Sequence, residues 1–160
     1  MEKYTLNKNE RRIAIFLGKE RYSSNRKKGI RNQKAGPQSE YETEVEGVGG
    51  ELVFAKACNL YPDLGVVPGK FDFTLHGCTI DVKTTKYPDG KLLVSYSKKL
   101  EDCDVYVLVT GSMPSYVIAG WTYNHEIINE DHVDDWGKGP LYVAEQSELQ
   151  PFPLNLYSRR

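Results

Sequence analysis

Cysteine is scarce in this chain, with only Cys58, Cys78 and Cys103 among 160 residues. The number is odd and close zinc spacing is missing, which argues against a disulfide framework and for reduced thiols in a cytoplasm. His76-x-Cys78 offers two zinc-type donors, but a turn histidine beside a core-facing cysteine is the simpler account. No apolar run approaches the roughly 18 residues of a membrane span, and no signal-peptide pattern opens the sequence, so no membrane partner is expected. Internal repeats and low-complexity stretches are absent too. What is present is ordinary for a folded soluble protein: 39% hydrophobic and 11% aromatic residues, in a length that suits one domain with a real core.

The net charge of -1 conceals a strong asymmetry. Residues 1–36 hold eleven Lys/Arg and three Glu, a balance of +8; residues 37–160 hold ten Lys/Arg and nineteen Asp/Glu, a balance of -9. Segregated charge of this kind suits a polyanion partner. Arg26, Lys27, Lys28, Arg31 and Lys34 form the densest basic cluster, with Arg11, Arg12 and Arg21 upstream. They are the candidate contacts to a phosphate backbone. A solvated helix face or loose basic arm is the plainer alternative for the same residues.

Along the chain, residues 8–34 have patchy helical character and run into Ala35-Gly36-Pro37, the clearest internal boundary. It divides a basic N-terminal helical arm, residues 1–36, from a core of residues 37–160 within a single domain. Ser39 is a reasonable N-cap for a helix reaching about Leu60, with Glu40, Glu42 and Glu44 crowding its first turns. Val45, Val48, Leu52 and Ala55 give it an apolar stripe; Glu40, Glu44, Gly47 and Glu51 form a second face beside it. Gly47, Gly49 and Gly50 disfavour helix by up to about 1 kcal/mol each. Either the helix starts later, near Gly47, or its backbone comes close to something. Strands are expected at 70–84 as a hairpin, then at Leu92–Tyr96, Asp104–Thr110, Tyr116–Trp121 and Leu141–Ala144, with a short helix at Asn124–Asn129. This order indicates an α/β chain of the α+β, mixed-sheet kind, with a central mixed β-sheet flanked by helices.

The hairpin carries the chemistry. His76-Gly77 is a plausible two-residue turn of a primed type. Leu75 then faces Cys78, Thr74 faces Thr79, Phe73 faces Ile80, and Asp72 faces Asp81. Alternation puts Phe71, Phe73, Leu75, Cys78, Ile80 and Val82 on one face; Lys70, Asp72, Thr74, Thr79, Asp81 and Lys83 take the other. Opposed β-carbons are about 4.5–5.5 Å apart, and like charges there destabilise a sheet. A divalent cation between Asp72 and Asp81 resolves this. Mg²⁺, with Mn²⁺ as a substitute, takes one or two carboxylates plus waters. The Val82 carbonyl lies close enough to add a ligand, and Glu51 is the best further acid. Lys83 shares the face of Asp81, where it can orient or polarise water and offset phosphate charge. The plain alternative is an exposed polar face with Lys70 and Lys83 as ion-pair partners.

These residues carry a resemblance. Glu51 on a helix, then Asp72, then Asp81-Val82-Lys83 on adjacent strands resembles the PD-(D/E)XK nuclease superfamily. Gly47-Val48-Gly49-Gly50-Glu51-Leu52-Val53-Phe54-Ala55-Lys56 is similar to the Gly-x-x-Gly-Glu-x-x-Phe/Ala helix of small phage and bacterial members. Asp81-Val82-Lys83-Thr84-Thr85 resembles their central strand. Asp104-Val105-Tyr106-Val107 through Gly120-Trp121 to Leu141-Tyr142-Val143 is similar to phage-encoded nucleases of this type. The likeness covers about residues 44–150. It implies a restriction-endonuclease-like core, Mg²⁺-dependent hydrolysis, and most often a DNA substrate, with Asp72 and Asp81 on the metal, Lys83 serving the water and Glu51 completing the site.

Asp89-Gly90-Lys91 repeats the Asp-x-Lys spacing but follows Pro88 in a turn without an upstream strand acid. Pro62-Asp63 makes Asp63 a rival first aspartate; the hairpin register favours Asp72. The chain departs from the pattern in using Asp81 where glutamate is commoner. A helix between the third and fourth core strands has room only at Ser97–Cys103. The expected function is a cytoplasmic, metal-dependent DNA endonuclease. Exonuclease and Holliday junction resolvase stay open, a resolvase or restriction-like enzyme being a homodimer. The competing class is a non-catalytic DNA-binding or assembly module that keeps the fold.

Overall fold

Both long helices are started by their own sequence. In a computed structural model, residues 1–29, 39–67 and 69–156 are described. Helix α1 (Lys8–Lys27) is capped by Asn7, whose side chain accepts from the Glu10 amide while Glu10 reaches back to the Asn7 amide. Helix α2 (Glu40–Cys58) repeats the device with Ser39 and Glu42. It stops at Asn59, which adopts the left-handed conformation at φ 53°, and Leu60 N–H then returns to the Ala55 carbonyl at 2.8 Å. Ser39 is thus the N-cap that the sequence indicates. The glycines do not delay the helix.

The second explanation of those glycines holds instead. A β-carbon on Gly49 would collide with the Tyr116 hydroxyl, and one on Gly50 with Thr84. Gly47 faces open space. So α2 lies with its backbone almost against the sheet, as only glycine permits. Glu46 anchors the approach, accepting the Tyr116 hydroxyl at 2.6 Å and the Met113 amide at 3.1 Å.

The main sheet has five strands in the order β1-β6-β5-β3-β2: β1 (Lys3–Thr5), β2 (Phe73–Leu75), β3 (Cys78–Thr85), β5 (Val105–Ser112) and β6 (Ser115–Tyr123). Only β3 and β5 run parallel. Between them in sequence comes β4 (Leu92–Ser95), which joins β7 (Val133–Asp135) and β8 (Pro140–Ala144) in a small antiparallel sheet. Helix α3 (Asn124–Ile127) follows β6. The chain is therefore mixed α/β, with a mixed sheet and flanking helices. Strand β5 shows why its apolar run is unbroken. Val105, Val107 and Val109 pack in the core under α1 and α2, whereas Tyr106 and Leu108 pack against Leu92, Val94 and Ile127 on the other face.

Three expectations change. Residues 97–103 form one 3-10 turn, Leu100–Asp102, rather than a full helix. The N-terminal segment is helical but not a loose arm over the described part: β1 extends the sheet, and Leu6, Ala14 and Leu17 are in the core. Phe71 is 41% exposed, not on the apolar face, because the chain leaves the sheet before Phe73. Among the described residues no helix is long and apolar enough to cross a membrane.

Candidate active site

The site forms where a long strand outlasts its short neighbour. His76 and Gly77 both have positive φ, 50° and 79°, the primed turn expected, and the pairs Leu75–Cys78, Thr74–Thr79 and Phe73–Ile80 follow. The next pair, Asp72 with Asp81, is not made. Asp72 N–H bonds the Ile80 carbonyl at 2.8 Å, the chain bends away, and regular pairing ends. Strand β3 continues to Thr85 with its edge bare on that side. The Asp72 carboxylate fills the gap, accepting the Val82 amide at 2.7 Å. In an extended strand a residue's N–H and C=O point to one edge, so the Val82 carbonyl faces the Asp72 side as well.

Asp81, Lys83 and Asp72 then line one recess of about 180 Å³ together with Glu51, Lys70 and Lys98. Asp81 is 5% exposed. Lys83 Nζ lies 3.0 Å from its Oδ1 and Lys98 Nζ 3.4 Å from its Oδ2. Lys98 also donates to the Lys70 carbonyl at 3.0 Å, and Lys70 pairs with Asp102 at 3.0 Å. Burial pushes the Asp72 pKa well above the ordinary carboxylate value, and the charges of Glu51 and Asp81 push it further, against the Val82 amide and Lys83. Glu51 is raised mainly by burial, with Arg21 opposing. Burial alone would lower the pKa of Lys83, but Asp81 and Asp72 outweigh it and raise it. Lys83 is thus held as an ammonium.

Glu51 stands apart from the aspartate pair in its bonding. Arg21 Nη1 meets both its oxygens at 3.0 Å, while Arg21 Nε and Nη2 bond the carbonyls of Gly65 and Asp63. Asp63, the rival first aspartate, accepts the Gly65 amide in its own loop and lines a neighbouring recess, not that of Asp81. Of the two rivals, Asp72 is the one that shares a recess with Asp81. Among the described residues no group of three or more His, Cys, Asp or Glu side chains is arranged to hold a metal together. The oxygen set offered here is two carboxylates and one main-chain carbonyl.

The basic cluster divides. Arg26 is ion-paired with Glu40 and lies over the Tyr22 ring at 5.2 Å, whereas Lys27 and Lys28 are exposed at the end of α1. Arg31 and Lys34 lie outside the described residues. His76 is an exposed turn residue and Cys78 is buried, as the simpler account of that pair has it. His132 bonds Asn129 and Glu148. Sequence reasoning missed Lys98, and it counted Arg21 only among the basic residues upstream of the Arg26–Lys34 cluster. Neither has a fixed spacing to the residue it meets, so no local pattern could have found it.

This chain is a mixed α/β protein whose polar recess lies at a β-hairpin edge. It belongs to a family of unknown function (DUF5843), whose profile matches residues 1–113. No curated protein and no solved structure matches it.

Proposed function

We propose that the protein is a Mg²⁺-dependent nuclease that hydrolyses DNA phosphodiester bonds, as an endonuclease, on a restriction-endonuclease-like core in a cytoplasm. The observation that carries this reading is the recess at the end of β2. The buried Asp81, the half-buried Asp72 and three lysines share it, and desolvation, with the charges of Glu51 and Asp81, makes Asp72 hard to ionise. Bringing carboxylates together this way is unfavourable unless a cation joins them. Two carboxylates and a carbonyl are hard oxygen donors of the number Mg²⁺ takes while keeping several waters. The residues therefore fit the ion.

Asp72, Asp81 and the Val82 carbonyl would hold it, and it would supply the Lewis acidity that activates water and polarises a phosphoryl oxygen. Lys83, fixed as an ammonium beside Asp81, acts as a donor and not as a base. It hydrogen-bonds a phosphate oxygen and offsets the charge that develops at phosphorus. Lys98 holds the second oxygen of Asp81 and keeps that carboxylate aimed. Lys70 adds positive charge at the rim. Lys27 and Lys28, exposed at the end of α1, are placed to meet the DNA backbone.

A second reading rests on one specific observation. Asp81 is already bracketed by Lys83 and Lys98, so it is charge-balanced without a metal. That suits a DNA-binding or assembly module that keeps the fold. Incubation with supercoiled, linear and branched DNA in Mg²⁺ or Mn²⁺, with EDTA controls, separates the two. Metal-dependent strand cleavage supports the nuclease. Tight binding with no cleavage of any substrate supports the module. Product lengths then distinguish endonuclease, exonuclease and resolvase, and solution mass shows whether the active form is a homodimer.

A further inference from the structure

We propose that the Arg21 guanidinium is the built-in counter-cation of Glu51, so that the recess takes one divalent cation and Glu51 is not among its ligands. This rests on the metal-dependent reading above and says how many ions that site holds. Arg21 comes from α1, outside the stretch that carries the nuclease resemblance. The side chains of Arg21 and Glu51 are 13% and 12% exposed. Both oxygens of Glu51 are met at 3.0 Å, and the other two guanidinium nitrogens hold the carbonyls of Gly65 and Asp63 at 3.0 Å each. Arg21 cannot swing away without giving up all of these bonds.

The backbone fixes the pair as well. One turn before Arg21, a β-carbon on Gly18 would lie 2.7 Å from Val45 Cα, so α1 and α2 cross with almost no space between them. That crossing sets the distance from α1 to the Glu51 face of α2. Glu51 and Asp72 line both neighbouring recesses, the one with Asp81, Lys83 and Lys98 and the one with Arg21, Asn25, Glu44 and Asp63. A divalent ion drawn to Glu51 would sit beside a fixed positive charge in a poorly hydrated place, where like charges repel strongly. Arg21 commits its nitrogens to Glu51, Gly65 and Asp63, and the Asp72 carboxylate accepts the Val82 amide at 2.7 Å instead.

Mn²⁺ titration calorimetry on the full chain tests the assignment, because charge balance and ligation predict opposite results. Wild type should bind one Mn²⁺. Glu51→Gln should weaken binding by leaving Arg21 uncompensated, and adding Arg21→Gln should restore it to within about threefold of wild type. A double variant as weak as Glu51→Gln, or a wild type that binds two ions, would overturn the inference. The pair itself is tested without metal. In EDTA the thermal midpoints of the two single variants and the double should be strongly non-additive; additive losses would overturn it. Mn²⁺ binding that Asp81→Asn leaves unchanged would instead overturn the metal reading on which the inference stands.

Discussion

The Asp72 carboxylate accepts the Val82 amide at 2.7 Å, at the point where β2 leaves the edge of β3. This bond ties a side chain of the recess to the strand that carries Asp81 and Lys83. Its effect on pKa is outweighed by burial and by the charges of Glu51 and Asp81, which raise Asp72 above 3.8. A group raised in the folded state stabilises fully below its unfolded value, and that contribution is lost as pH rises through the folded value. The Asp72 contribution to the stability of the metal-free protein is therefore expected to grow as pH falls from neutral towards the unfolded value of 3.8. Asp72→Asn should flatten this gain. Thermal melts in EDTA across that range check it, and identical slopes in the two proteins would count against the placement of Asp72.

Helix α2 supplies a paired prediction. Gly49→Ala pushes a methyl into the buried Tyr116 hydroxyl, which Glu46 holds at 2.6 Å, so it should destabilise by roughly 1–3 kcal/mol. Gly47→Ala meets nothing within 4 Å and should stabilise by up to about 1 kcal/mol. Denaturant unfolding of the two variants measures both signs.

The basic residues at the end of α1 should separate by role. Lys27→Ala and Lys28→Ala are expected to weaken DNA binding and to lower the slope of log Kd against log salt by about 1 each. Arg26→Ala should instead lower stability, since its guanidinium is committed to Glu40 and Tyr22. Fluorescence anisotropy over a salt series, with melting curves alongside, checks the division.

Lys98 holds Asp81 from outside the motif. Lys98→Met should reduce cleavage by about tenfold or more, by leaving an oxygen of a buried carboxylate unpaired. Initial rates of plasmid nicking test this.

Local chemistry explains what could be read in the sequence. Ser39 with Glu42, the His76-Gly77 turn, and the unbroken apolar run at Val105–Val109 each follow from interactions within a few residues or from one strand's periodicity. The nearness of Asp72 to Asp81 came through the same hairpin. Its details did not: the ladder ends at Phe73, and the bend that exposes Phe71 is set by where β2 leaves the sheet. Arg21 meets Glu51 across thirty residues, and Lys98, in the turn after β4, meets Asp81 on β3. Such contacts depend on how α1 crosses α2 and where β4 is placed, which no local spacing records. The approach of Gly49 and Gly50 to Tyr116 and Thr84 was visible as glycine content, but its partners were not.

The most direct test of the central claim is the nicking of supercoiled DNA in Mg²⁺ by wild type, Asp81→Asn and Lys83→Met, with circular dichroism confirming that each is folded. The expected result is metal-dependent cleavage by wild type and a loss of about 10²–10³-fold or more in either variant. Wild type that leaves every DNA substrate intact, or variants that cut as fast as wild type, would contradict it.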